Sequence, residues 1–210
     1  MNSDDPVSLM KLPSPWAAQL LDELTQDEDF MTWPKGSKLP FHQKGEPVCH
    51  FVRLGTLTLE RSDDSLLMGT VSAPLALGWM GAISSRIIMR AKEPCEVATL
   101  ARTQIMQRVD EKQLWDRVAK HMLHITNKLF IYNEILTAPT TYELVCYQLM
   151  SLMEEPASVR NSTAAYQYIL DRTRLSRSSV MKMLAELKKG GYIRLEQGKL
   201  VVINSLPAGF

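Results

Sequence analysis

Apolar residues change their spacing twice along this chain. Trp16, Leu20, Leu21 and Leu24 recur at three and four residues, the stripe of an amphipathic helix that follows a proline-punctuated start. From Phe30 to about Leu100 the apolar runs shorten, and Pro34, Gly36, Gly45, Pro47, Gly55, Asp63, Asp64, Pro74, Gly78, Gly81 and Pro94 separate them. The intervening runs at 48–52, 56–60, 66–71, 87–91 and 95–100 predict the strands of an antiparallel meander or barrel. Connections this short leave no room for the crossover helices of a parallel sheet.

A third texture runs from Asp110 to about Thr137, which contains neither glycine nor proline. Leu114, Val118, Met122, Ile125, Leu129, Tyr132 and Leu136 step by four and three residues, a heptad seam. The seam predicts one helix of roughly 27 residues, about 40 Å long. It needs a partner, either its own domain or the same helix of a second copy, and a two-fold helix pair is the expectation. Ala138, Pro139, Thr140 and Thr141 then break the pattern and mark a boundary. Helical spacing resumes over 141–154 through Leu144, Val145, Tyr147, Leu149 and Leu152, and a loop follows from Glu155 to Ser162.

The stretch 164–204, AAYQYILDRTRLSRSSVMKMLAELKKGGYIRLEQGKLVVIN, has an ordered set of local signals. Tyr166, Ile169 and Leu170 suit a short helix, and Arg174-Leu175-Ser176 is a tight connection with one apolar residue to tuck beneath it. Ser176 is a good N-cap, because its hydroxyl can accept a backbone N–H of the next turn. In the following helix Val180, Met183, Leu184 and Leu187 share one side, while Ser178, Lys182 and Lys189 fall opposite and Arg177 stands at the open end. Gly190-Gly191 ends that helix, and 192–195 and 200–204 read as two strands of a hairpin across Glu196-Gln197-Gly198-Lys199. Together these elements predict a winged helix-turn-helix. The physical logic is that an α-helix fits the major groove with its N-terminal residues at base edges, while flanking cations meet phosphates. The expected DNA-binding residues are Arg174, Ser176, Arg177, Ser178, Ser179, Lys182, Lys188, Lys189 and Lys199.

Charge sharpens this picture. The 210 residues carry 24 Lys and Arg against 23 Asp and Glu, yet the balance is uneven. Residues 1–30 hold a net charge of −6, residues 31–159 of +1, and residues 160–210 of +6. A basic C-terminal module on a nearly neutral chain suggests an anionic partner there, with nucleic acid foremost. Hydrophobic residues at 45% and charged residues at 22% provide for a real core and exclude collagen-like and disordered classes. The acidic first residues are followed by no apolar leader, and no run approaches a membrane span, so a cytoplasmic protein with no membrane partner is expected.

With these residues in view, the layout resembles the CRP/FNR superfamily of bacterial transcription regulators. RLSRSSVMKMLAELKKGGYI is similar to that family's recognition helix and its run into the wing, and RAKEPCEVATL (90–100) to the closing strands of its sensor barrel. The short chain and the ending GKLVVINSLP resemble the enterobacterial IprA (YaiV) type, whose members are associated with the peroxide response. The resemblance implies an α+β fold: a cyclic-nucleotide-binding-like β-barrel (jelly roll) with a leading helix over 1–109, a dimerisation helix over 110–138, and a winged helix-turn-helix over 139–210. It also implies double-stranded DNA, a second copy of the chain and RNA polymerase as partners. The dimer interface is expected along Leu114, Val118, Met122, Ile125, Leu129, Tyr132 and Leu136.

The family's recognition helix begins Ser-Arg-Glu with a second Arg later. Ser176 and Arg177 match, but Ser178 replaces Glu and Lys182 replaces that Arg. DNA binding carries over; the usual operator sequence does not. The sensor departs further. Where cyclic-nucleotide-binding members carry Gly-Glu, Gly78 is followed by Trp79, and 84–88 lack the Arg-Ser-Ala of the phosphate site. Arg86 could be a slipped phosphate ligand, but the β-branched residues after it disfavour this. The N-terminal cysteine cluster of iron–sulfur members is missing. Neither cyclic AMP nor a cluster is therefore the expected effector, and no cofactor is expected.

Other chemistry is thinner. Three cysteines cannot make a disulfide framework. Cys49, beside His50, and Cys95 are the candidates for redox sensing, although strand alternation sends Cys49 and His50 to opposite faces. Cys146, among apolar residues, reads as core. His121 and His124 lie three residues apart and could share a metal, but a solvated or interface pair is the better reading, so no metal is expected. Trp16, Trp33, Trp79 and Trp115 read as core or interface anchors. No phosphate loop, zinc-protease motif or Gly-x-Ser-x-Gly elbow occurs, so an enzyme is not expected. The reading that emerges is a sequence-specific DNA-binding transcription regulator. Its rival is a ligand- or redox-sensing adapter whose winged helix binds protein.

Overall fold

The computed structural model describes residues 12–80, 87–137 and 140–207, with Leu136 described by its backbone alone. Arg86 lies outside the described residues. The chain divides into two compact units, Leu12–Asn127 and the residues from Lys128 onward.

The first unit opens with helix α1 (Pro15–Leu24), which has proline at its first turn and buries Ala17, Leu20, Leu21 and Leu24. A 3-10 turn at Asp27–Asp29 leads into the strands β1 (Phe30–Trp33), β2 (Lys38–Leu39), β3 (His42–Gln43), β4 (Glu46–Leu54), β5 (Thr56–Arg61), β6 (Leu67–Ser72), β7 (Leu75–Leu77), β8 (Ile87–Ala91) and β9 (Cys95–Ala101). All pair antiparallel in two sheets. One has the order β1-β9-β4-β3 with β7 added beside β4, and the other has the order β2-β8-β5-β6. The five sequence-predicted strands are all present. The shorter β1, β2, β3 and β7, of two to four residues, carry too little alternation to be seen in advance.

Alternation along β4 explains the layering. Val52 joins Leu39, Leu57, Met89, Cys95 and Val97 in a core shared by both sheets. Cys49 and Phe51 face the other way, into a second core with Leu20 and Leu24 of α1, Ile105 and Val109 of α2 (Arg102–Glu111), and Leu114 and Val118. Gly78, at φ +92°, closes β7 against β4, where an added Cβ would collide with the Val48 carbonyl.

The predicted single long helix from Asp110 is instead two. Helix α2 ends at Glu111, and α3 (Trp115–Leu136) begins after a turn. The break is a Schellman closure, in which Gln113 N–H donates to Asp110 O and Leu114 N–H to Val109 O. Its left-handed position is held by Gln113, at φ +54°, where a glycine would have announced the stop. Trp115 Nε1 donates to Asp110 Oδ1 across the turn at 2.6 Å.

The second unit contains α4 (Thr141–Met153), α5 (Ala157–Arg160), α6 (Ala165–Arg172), α7 (Arg177–Lys189), β10 (Ile193–Glu196) and β11 (Lys199–Ile203). A reciprocal capping box starts α4: Thr140 Oγ1 accepts from Glu143 N–H, and Glu143 Oε2 accepts from Thr140 N–H, both at 3.1 Å. Among the described residues, no helix is long and apolar enough to cross a membrane.

One buried ionisable group bears on stability. His50 has no exposed surface and sits edge-on to Trp33 and Phe41. Its Nε2–H donates to Pro40 O at 2.7 Å, and its Nδ1 accepts from the Thr99 hydroxyl at 2.8 Å. Burial holds its pKa below the ordinary 6.5, against a smaller opposing pull from the Pro40 carbonyl. The unfolded chain therefore takes up a proton near that pH while the folded chain still resists it. His50 contributes its full stability above about pH 6.5 and loses it as the pH falls toward the folded-state pKa. Urea unfolding of His50→Gln between about pH 7 and pH 5 is expected to show a shallower loss of stability on acidification than wild type. An equal slope would remove His50 as the cause.

Candidate nucleic-acid interface

The C-terminal unit is organised by one apolar stripe. Val180, Leu184 and Leu187 of α7 are buried against Tyr168 and Ile169 of α6, Leu149 and Leu152 of α4, and Ile193 and Leu200 of the hairpin, with Met183 packed alongside. In the connection between α6 and α7, Thr173 Oγ1 donates to Ile169 O at 2.9 Å, and Leu175 turns inward against the same core. Ser176 caps α7: its Oγ accepts from Ser179 N–H at 3.1 Å and lies 2.9 and 2.8 Å from the Ser178 and Ser179 hydroxyls.

With that stripe inside, the rest of the helix is forced out. Arg177, Ser178, Ser179, Lys182, Lys188 and Lys189 are exposed, as are Ser176 and Arg174 just before them. Among the described residues, none of Arg177, Lys182, Lys188 and Lys189 is in an ion pair. Ser178, Lys182 and Lys189 form the outermost line, and Arg177 and Lys188 stand on the flank toward the hairpin. The Arg177 guanidinium lies 4.8 Å from the centre of the Tyr166 ring, which positions it without neutralising it. Glu186, the acidic side chain of α7, is on the opposite flank.

The end of α7 is a second Schellman closure. Gly191, at φ +73°, takes the left-handed position, and Tyr192 N–H donates back to Leu187 O at 3.0 Å. Strands β10 and β11 then pair antiparallel across Gln197 and Gly198, both at positive φ. Ala165 N–H donates to Gly198 O at 2.8 Å, fixing the hairpin turn to the start of α6. Lys199 is half-buried beside Arg160 and Asn161, so the wing carries less exposed positive charge than the sequence suggested. Tyr166 and Met181 line one groove beside α7 and were not singled out from sequence as site residues. Their neighbours in the chain gave no cue, because half-buried Tyr166 reads as core and Met181 falls beside the apolar stripe; Arg194 of the hairpin leans toward Glu196 at 3.6 Å.

Burial bears on two other predicted sites. Leu114 and Val118 are each 5% exposed, and with Met122 they face the core of their own unit. Ile125 and Tyr132 are half-buried, Leu129 is exposed, and the side chain of Leu136 lies outside the described residues. The inner part of the seam is thus spent on the outer face of the larger sheet. The exposed apolar line on α3 is the same pattern turned by one residue: Ala119, Leu123, Thr126 and Phe130, with Leu123 and Phe130 at 69% and 70% exposure. Spacings of three and four residues are the same for both lines, so periodicity alone could not choose between them.

The redox reading of Cys49 and Cys95 meets a physical obstacle. Both are fully buried, with Cys49 Sγ directed at Gly78 O and Cys95 Sγ at Glu93 O. Burial pushes the Cys49 thiol up to about 12 and raises Cys95 as well, which disfavours the thiolate at both. Cys146 is core, as expected. His121 and His124 do not share a site. His121 Nε2 donates to Ala76 O at 2.9 Å and Nδ1 accepts from Ser14 Oγ at 2.8 Å, whereas His124 stands edge-on to Trp16. Among the described residues, no cluster of His, Cys, Asp and Glu could hold a metal ion.

Comparison with known proteins agrees with this architecture. Residues 141–208 match the family described as winged helix-turn-helix DNA binding. The inhibitor of hydrogen peroxide resistance of Escherichia coli is 31% identical over 160 residues, covering 74% of this chain and 76% of that protein. Its Salmonella typhimurium counterpart is 29% identical over 187 residues, covering 83% and 90%. Among solved structures, the c-di-GMP responsive global regulator CLP of Xanthomonas campestris superposes with a TM-score of 0.63 at 16% identity, covering 92% of this chain and all of that one. A CRP/FNR family transcriptional regulator of Thermus thermophilus gives 0.57 at 16% identity, covering 83% and 93%. With the fold of the CRP/FNR regulators and this degree of sequence identity, the chain belongs to the family of the inhibitor of hydrogen peroxide resistance.

Proposed function

We propose that the protein is a homodimeric transcription regulator that binds specific duplex DNA through α7, acts without cyclic AMP, and regulates the response to peroxide. The observation that carries the DNA reading is the outward line of Arg177, Ser178, Lys182, Lys188 and Lys189 on a helix whose other side is fully engaged. In a major groove, Arg177 at the open end would hydrogen-bond a guanine edge, and Lys188 near the far end would meet phosphate. The name shared by the relatives supplies the physiological direction, a lowering of peroxide resistance.

Independence from cyclic AMP is supported by Trp79. Where nucleotide-binding members carry a carboxylate, this indole donates Nε1–H to Ala76 O at 2.9 Å and stands edge-on to Phe51 and His121. It offers no acceptor for a ribose hydroxyl. The homodimer is supported by the exposed line of Ala119, Leu123, Thr126 and Phe130, whose spacing suits a two-stranded helix pair.

Fluorescence anisotropy with duplexes selected in vitro tests the DNA reading. Arg177→Ala should cost about 1–3 kcal/mol on the selected site and relax one base position. Lys188→Ala should weaken all duplexes alike and lower the salt slope by about 1. Binding that is indifferent to salt, or unchanged in both variants, would overturn the proposal. Light scattering tests the dimer. Phe130→Glu is expected to shift the protein toward monomer, whereas Val118→Ala should lower thermal stability by about 1–2 kcal/mol and leave the oligomeric state alone.

A further inference from the structure

Met181 is a large apolar side chain standing in solvent, 46% exposed, within a line of cations. Successive residues of an α-helix turn by about 100°, which brings Arg177, Met181, Ala185 and Lys188 onto one ridge within about 80° of arc. Met181 and Ala185 form one wall of a shallow groove of about 380 Å³, floored by Leu184 and Leu195 and bordered by Tyr166 and Lys188. The solvated face of a helix gains nothing from a methionine there. An apolar protein segment laid on this strip would strand Arg177 and Lys188, which bracket it. A polyanion carrying one apolar group between its charges satisfies both.

The major groove presents one such group, the 5-methyl of thymine. We infer that Met181, backed by Ala185, is a specificity-determining residue that contacts a thymine methyl in each half-site. This rests on the reading of α7 as the groove-inserted helix, and it goes beyond that reading by assigning a base preference to a residue without hydrogen-bonding capacity. Met181 follows Arg177 by four residues, about 6 Å along the helix axis. The thymine therefore lies within about two base-pair steps of the guanine that Arg177 reads, at 3.4 Å per step. The unbranched thioether can adjust its end to the methyl without moving the helix.

The test uses the full-length protein and duplexes that it selects in vitro. Each thymine is replaced in turn by deoxyuridine, which removes the methyl and keeps every hydrogen-bonding group. Wild type is expected to lose about four-fold in affinity, the worth of one buried methyl, at one position per half-site near the guanine mapped with Arg177→Ala. Met181→Gln should show no loss at that position, and Met181→Leu, which keeps an apolar end, should retain it. Indifference of wild type to every deoxyuridine would overturn the inference while leaving DNA binding intact. So would a thymine preference that survives in Met181→Gln. Failure to select any duplex would instead strike the DNA reading, and this inference with it.

Discussion

The C-terminal unit takes its orientation from the burial of one side of α7. Val180, Leu184 and Leu187 are enclosed by three other elements, and full burial of such side chains is worth about 1.5–3 kcal/mol each. Repulsion among exposed cations on the same helix is far smaller, because solvent and salt screen it over about 10 Å. The apolar side therefore decides the rotation of the helix, and the cations follow. A helix with 3.6 residues per turn then has no choice about which side chains face outward. The two caps finish the geometry: Ser176 sets where the helix begins, and Gly191 sets where the chain turns toward the hairpin.

The first unit applies the same rule to a helix against a sheet. Ala76 O accepts from both the Trp79 indole and His121, and Ser14, which precedes α1, donates to the other His121 nitrogen. One carbonyl of β7 thus links a loop tryptophan, α3 and, through the imidazole, the start of α1. The arrangement commits one side of α3 to its own chain, and the line that begins at Ala119 is what remains.

How much of this could be read in the sequence depended on whether the deciding residue had a local signature. The five longer strands were legible because glycine, proline or paired aspartates bound them, and the winged helix because Ser176, Gly190 and Gly191 punctuate it. The break at Gln113 was not, because a glutamine there holds a conformation usually marked by glycine. The seam on α3 was found with its period right, but its first positions, Leu114 and Val118, are taken up by the core of their own unit, since which side a helix buries depends on the neighbours it meets. Leu123 and Phe130 lay one residue from the predicted positions throughout. Met181 was invisible for a related reason, as it falls between the apolar stripe and the polar line and only the folded chain shows that it is left in solvent.

The thiols bear on how a family linked by name to hydrogen peroxide can act. Peroxide attacks thiolate, and burial pushes the Cys49 thiol up to about 12, away from its ionised form at neutral pH. Cys49 is also walled in by the larger sheet and the helices that cover it, so both reactivity and access are low. Cys95 lies in the core shared by the two sheets, and oxidising it would add polar oxygen where Leu57 and Val97 pack. Sulfur chemistry at these positions would damage the fold sooner than signal through it. Enclosed in this way, Cys49 and Cys95 serve as small apolar residues of the core.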